Sequence, residues 1–370
     1  MRIKTSCFLL LLGAVLLQTS CIKDEAPNCE ADILKIYVPG NILQREPIIS
    51  NEEIVCYVNE EAYLKEMAPT FDLTEGAKIT PKSGSVRDFT RTQNYMVTSE
   101  DGKWKKTYVV KFKTAGSSLT KFHFDYRKKE RKYYVIYERD ANNEESIVWA
   151  SGNSGFASVA GSRPPEEYPT TTEPKGYKNQ AVKLVTLSTG ALGAIGNSPI
   201  AAGSLFLGVF DLNISAPLKS THFGIPFNSV PVKLKGYYKY KSGEVFKQHT
   251  DNDGQYISDE GKTLNRKDSC DIYAVLYEVD PGNEYLDGTN VLTHPSIVSV
   301  ARLDKIDEAE DWTFFEIPFA LKNGKTIDPE RLRLGGYNLT VVFSSSKEGN
   351  RYNGAVGSTL LIDEVELEVE

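Results

Sequence analysis

The sequence predicts an all-β protein built as two successive β-sandwiches, and three observations predict it. Short runs rich in β-branched and aromatic residues recur along the chain, turn-forming residues separate them, and helical periodicity is almost absent. The ending is the clearest case. Val365, Leu367 and Val369 alternate with Glu364, Glu366 and Glu368, which gives a strand with one buried and one wet face.

The first twenty residues precede the fold. Arg2 and Lys4 form a charged start, Phe8–Leu17 is an apolar run too short to span a bilayer as a helix, and Thr19 and Ser20 lead into Cys21. The segment resembles a bacterial lipoprotein signal, although Gln18 stands where such signals usually carry Leu. The resemblance implies cleavage before Cys21, acylation of its thiol, and attachment to the membrane through lipid alone. Lys23-Asp24-Glu25 is similar to the export signal of Bacteroidota lipoproteins, which implies an outer-membrane anchor with the body facing outward, at the cell surface.

The chain has 43 basic and 50 acidic residues for a net charge of −7, and loss of Arg2 and Lys4 takes it to −9. An acidic body does not suit phosphate backbones, so nucleic acid is not an expected partner. After Cys21, three cysteines remain: Cys29, Cys56 and Cys270. Cys29 and Cys56 could bridge neighbouring strands in an oxidising compartment, or all three could be idle thiols. No pair has metal-ligand spacing, and neither a metal nor a cofactor is expected.

Residues 21–30 read as a lipidated tether. Strands follow at Ile33–Val38, Ile54–Val58, Ala77–Thr80, Tyr95–Thr98 and Trp104–Phe112, with Glu100-Asp101-Gly102 predicting a hairpin between the last two. Thr114-Ala115-Gly116-Ser117-Ser118 reads as a linker, dividing a domain at 31–115 from a larger one at 118–370. The larger part predicts strands at Tyr133–Tyr137, Ala181–Leu187, Ser204–Phe210, Val232–Tyr240, Asp271–Tyr277, Ile297–Leu303, Thr313–Ile317, Leu339–Phe343 and Thr359–Val369. Only Ile306–Trp312 offers a helical turn or two. The long loops Gly161–Lys178 and Lys241–Ser269 are where function is expected.

Enzyme motifs are mostly absent. Asp251-Asn252-Asp253-Gly254 begins like a calcium loop, but its glycine comes at position four and Lys262 stands where a bidentate carboxylate is needed, so it reads as an acidic turn. A glycosidase needs two carboxyl groups roughly 5–10 Å apart, and the sequence selects no such pair. Aromatic residues are more informative. Lys233, Lys235, Tyr237 and Lys239 share one face of a strand, and Val232, Leu234, Tyr238 and Tyr240 the other. A tyrosine amid lysines is a surface on which sugar rings can stack, or a solvated face along lysine stems. Trp149, beside Gly152 and Asn153, is either the floor of a ligand site or a core residue. Arg351 lies at a turn tip and could reach a ligand hydroxyl.

Phe71–Pro81, with Asp88-Phe89-Thr90 and Tyr95, resembles the immunoglobulin-like modules at the start of many Bacteroidota surface lipoproteins, usually spacers. Trp149–Asn153 with Gly155-Phe156-Ala157, Ala201–Gly208, Pro231–Tyr240, Val342–Lys347 and Gly354–Val365 together resemble the putative carbohydrate metabolism (PCMD) domain over about 120–370. That resemblance implies a jelly-roll β-sandwich that handles glycans and fixes no catalytic residue. The expected function is therefore surface glycan binding without catalysis. Trp149 and Tyr237 would stack, and Asn153 and Arg351 would hydrogen-bond. The alternatives are a glycoside hydrolase using a carboxylate pair, or a structural or adhesive protein that engages other envelope proteins.

Overall fold

The computed structural model describes residues 27–370, apart from 44–45, 50–51, 59–61, 115–119, 141–142, 144, 252–253, 281–283 and 323. The signal segment, Cys21 and the core of the predicted linker lie outside the described residues. The protein is all-β, as its alternation predicts. Its α-helices among the described residues are short: Asn153–Phe156, Gly190–Ile195 and Pro329–Arg333.

The first core is built on a five-stranded sheet in the order Ile48–Ile49, Glu53–Val58, Lys105–Thr114, Gln93–Thr98, Lys78–Thr80. The strands Ile33–Tyr37 and Thr70–Leu73 pair separately, and both sheets feed one apolar cluster around Ile36, Ile54, Phe71, Phe89, Tyr95 and Val110. The predicted hairpin forms, with Gly102 at φ 72. Cys56 sits in this core while Cys29 is exposed, and both are free thiols; burial pushes the Cys56 thiol up to about 12. Lys111 lies 2.6 Å from Glu53 and 3.5 Å from Glu145, and Lys113 Nζ donates to the Ser146 carbonyl, so ionic and polar contacts join the two parts of the chain.

Eight principal strands build the larger unit: β1 (Ala181–Val185), β2 (Ser204–Phe206), β3 (Pro231–Lys241), β4 (Asp271–Glu278), β5 (Ile297–Arg302), β6 (Ala309–Pro318), β7 (Tyr337–Ser344) and β8 (Thr359–Val369). They pair as two sheets in the orders β1-β8-β3-β6 and β2-β7-β4-β5, which is jelly-roll connectivity. Thr170–Glu173 extends the first sheet beside β1. The inner faces meet in one core that includes Leu234, Tyr240, Phe315, Leu360 and Ile362 from the first sheet and Ile272, Leu276, Leu339 and Phe343 from the second.

The predicted faces of β3 hold: Leu234, Tyr238 and Tyr240 are buried while Lys233, Lys235, Tyr237 and Lys239 look outward. Gly236 is buried between them, where a Cβ would come within 2.9 Å of Phe315 and Val365. The helical turn expected at Ile306–Trp312 does not form. From Ala309 onward the chain is strand β6, whose register on β3 shifts between Tyr238 and Tyr240. A local bulge of this kind hides strand alternation from a reading of period alone.

Candidate functional site

The two outer faces of the sandwich differ. On β4 the outward residues Tyr273, Val275 and Tyr277 are no more than 6% exposed, because Phe223, Leu286 and Val291 from long excursions pack over them. On the outer face of β1-β8-β3-β6, beside the short return that carries Tyr177, residues such as Phe314 stay exposed and aromatic rings gather. Tyr237 pairs with Phe314 across β3 and β6 and with Asp363 across β3 and β8. The Tyr177 ring stacks on Tyr237 with centroids 3.8 Å apart and planes 11° from parallel. Trp312 stands edge-on to Tyr177 at 6.3 Å, Phe314 is tilted against Tyr237 at 5.4 Å, and the Lys239 ammonium lies 5.6 Å from the Trp312 ring centre. Tyr177 is 49% exposed and Phe314 52%. A cluster of large rings left open to water on a sheet face is a candidate binding surface.

Tyr177 reaches this position through a tight return between Thr170–Glu173 and β1. Gly176 N–H donates to the Asn179 carbonyl, and Asn179 takes a left-handed conformation at φ 56. Lys178 N–H donates to Asp363 Oδ2 at 2.9 Å, and Glu364 N–H donates to Asp363 Oδ1 at 2.8 Å. Asp363 is fully buried under this loop, and burial pushes its carboxyl up to about 6 despite those bonds. A Cβ on Gly176 would lie 2.6 Å from Asp363 Oδ2 and 2.8 Å from the Gln180 carbonyl carbon, so only glycine permits the approach. Gly176→Ala should therefore lift the loop and free the Tyr177 ring. Tyrosine fluorescence quenching by acrylamide should rise while the melting temperature falls by only a few degrees, as expected for a loss of about 1–2 kcal/mol. Unchanged quenching would contradict this account of the loop.

Of the expected site residues, only Tyr237 is part of this cluster, and there it supports Tyr177, whose outward ring is the more accessible one. Trp149 is 2% exposed and its place is the core, where it meets Phe122, Phe124 and Phe343. A ring enclosed in this way cannot stack on a ligand, because small neighbours such as Gly152 did not open it to solvent. Asn153 is fully buried; its amide donates to the Thr170 carbonyl at 2.7 Å and accepts from Thr170 N–H at 3.1 Å, so both ends of the group are spent on backbone. Arg351 lies in the β7–β8 connection and donates to the Asp251 carbonyl at 2.6 Å. Asp251 accepts from Gln255 N–H in an ordinary turn, and no group of metal-ligating side chains occurs among the described residues.

Trp149 Nε1 donates to Glu138, which is 2% exposed and also accepts from the backbone of His123 and Phe124. Burial raises the Glu138 carboxyl to about 7 against those bonds. The folded protein therefore holds this proton more tightly than the unfolded chain, where the group titrates near 4.5. The resulting stabilisation is complete below pH 4.5 and is lost as pH rises through 7. Urea unfolding should show stability falling between about pH 4.5 and 7, and Glu138→Gln should flatten that slope. An equal slope in both proteins would show that Glu138 does not titrate there.

Residues 123–368 match the family model described as putative carbohydrate metabolism domain, and residues 40–112 match that described as SGBP, N-terminal, the N-terminal domain of surface glycan-binding proteins. Among curated proteins none matches. The fold is similar to the crystal structure of a putative glycoside hydrolase from Bacteroides thetaiotaomicron VPI-5482, at 44% identity and TM-score 0.84 over 94% of this chain and 99% of that one. It is also similar to that of a putative glycoside hydrolase from Bacteroides vulgatus ATCC 8482, at 40% identity and TM-score 0.61 over 68% of this chain and 98% of that one. With two thirds of its length matched by the first model and a relative aligned almost end to end, this chain belongs to the putative carbohydrate metabolism domain family.

Proposed function

We propose that this protein is a lipid-anchored, cell-surface glycan-binding protein of the outer membrane. Residues 31–115 would act as a spacer, and the jelly-roll at 118–370 would hold the sugar without cleaving it. The observation that carries this reading is the group of four rings, Tyr177, Tyr237, Trp312 and Phe314, on the open outer face of β1-β8-β3-β6. Pyranose rings present apolar C–H faces that stack on such rings, while flanking polar groups meet their hydroxyls. The match of residues 40–112 to the N-terminal domain of surface glycan-binding proteins supports a glycan partner. The test is a panel of polysaccharides in affinity gel electrophoresis, with Tyr177→Ala beside the natural protein. Retarded migration that Tyr177→Ala abolishes is expected; no retardation by any glycan overturns the proposal.

The names of the two structural relatives favour a second reading, glycoside hydrolysis. That chemistry needs two carboxyl groups facing the ligand. Asp363, the carboxyl at the ring cluster that burial raises, is sealed beneath the Tyr177 loop and engaged by backbone N–H groups. Release of reducing ends from any polysaccharide in the same panel would decide for hydrolysis.

A further inference from the structure

Row by row, the open face of β1-β8-β3-β6 is not uniform in charge. In the row of Lys235, Glu366 stands opposite on β8 and Glu316 on β6; in the row of Lys233, Glu368 flanks it on β8. These lysines are neutralised. Lys235 lies 2.7 Å from Glu368, Lys233 lies 3.0 Å from Glu316, and at the loop Lys178 lies 3.8 Å from Glu364. The row beyond the rings is different. There Lys183 on β1, Leu361 on β8 and Lys239 on β3 lie side by side, and the bulged residues Glu310, Asp311 and Trp312 of β6 stand opposite Lys239. Among the described residues, neither the Lys183 nor the Lys239 ammonium has a carboxylate within 4.0 Å, although Glu310 and Asp311 precede Trp312 on the neighbouring strand.

Two strand spacings separate Lys183 from Lys239, about 10 Å. The half-buried Leu361 lies between them, and Trp312 borders Lys239. The arrangement is an apolar floor about one sugar ring wide with a free cation at each side. A neutral glycan has no use for two unneutralised ammonium groups there, whereas a sugar with an acidic substituent would satisfy them.

Building on the glycan-binding reading, we infer that the ligand is an anionic glycan, a uronic-acid polymer whose carboxylates are met by Lys183 and Lys239 while its rings lie on Leu361, Trp312 and Tyr177. Charge-assisted contacts of this kind on an open face weaken with salt and set which partner is chosen.

Isothermal titration of the full chain with polygalacturonate and with carboxyl-reduced polygalacturonate tests this. The expected result is binding of the acidic polymer that weakens between 50 and 500 mM NaCl, roughly as Debye screening requires, and at least about ten-fold weaker binding of the reduced one. Lys183→Ala with Lys239→Ala should cost about ten-fold or more on the acidic polymer, and the Lys→Arg pair should restore most of it. If the reduced polymer binds as well as the acidic one, with Tyr177→Ala abolishing both and the lysine pair changing neither, the anionic inference falls and glycan binding stands. If neither the acidic nor the reduced polymer binds, and alginate and neutral β-1,4-galactan also fail, both readings fall together.

Discussion

Replacing Trp149 by alanine should destabilise the larger sandwich by about 3–5 kcal/mol, the range for truncating a buried large aromatic. The ring meets Phe122 edge-on at 5.1 Å, Phe124 at 5.4 Å and Phe343 at 6.0 Å. Phe122 lies on a strand that pairs with β8 and Phe343 on β7, so the indole bridges the two sheets. Its removal opens a cavity beside Phe124, whose backbone is at φ 57. It also leaves Glu138 with one donor fewer in a buried setting, which adds to the cost. For a domain of this size the loss corresponds to a fall in melting temperature of roughly 10 °C or more. Trp149→Phe keeps the six-membered ring and loses the fused five-membered ring with its N–H, so its stability should fall between those of Trp149→Ala and the natural protein. Differential scanning calorimetry checks this, and a change below a few degrees for Trp149→Ala would contradict a core role. Glycan affinity of the folded variant should match that of the natural protein, since Trp149 presents no surface to a ligand.

The opposite pattern is expected at the ring cluster. Tyr177→Ala and Tyr237→Ala should each weaken glycan binding by about 10- to 30-fold, close to 1.5–2 kcal/mol, as aromatic hot spots do. Neither should shift stability by more than about 0.5 kcal/mol, because both rings stand outside the core. The two losses should not add. Tyr177 lies flat on Tyr237 at 3.8 Å, so removing either side chain takes away the same supported surface. The double variant should bind about as weakly as either single one, a coupling that a double-mutant cycle reads directly. Additive losses would mean that the rings contact the ligand independently.

Much of this was legible in the residues. Alternation in Val365–Val369 and along β3 predicts which side chains face inward, and the observed burial follows it. The Phe314, Glu316 phase of β6 carried the same information, with an aromatic on the polar side of a strand. It is visible already within the predicted strand Thr313–Ile317, and Trp312 joins the same phase once the stretch from Ala309 is read as strand instead of helical turn. Tyr177 had only a weak signal, its place at the end of the long Gly161–Lys178 loop. Trp149 and Asn153 show the converse failure. Glycine and serine neighbours suggest access, but whether a strand end is open depends on what packs over it, and here Phe122, Phe124 and Thr170 do.

The all-β class, the in-and-out phase of the strands and the composition of each face follow from the order of residues alone, because side-chain alternation is a local property of an extended chain. Tertiary structure alone decided which outer face stays open and which residues meet on it. Lys178 and the Asp363 that holds its loop are 185 residues apart, and Tyr237 and Trp312 come from a third and a fourth segment. Neighbours in a jelly-roll sheet are set by crossovers between sheets rather than by adjacency in the chain. A site assembled from one loop and three such strands therefore exists only once they have paired.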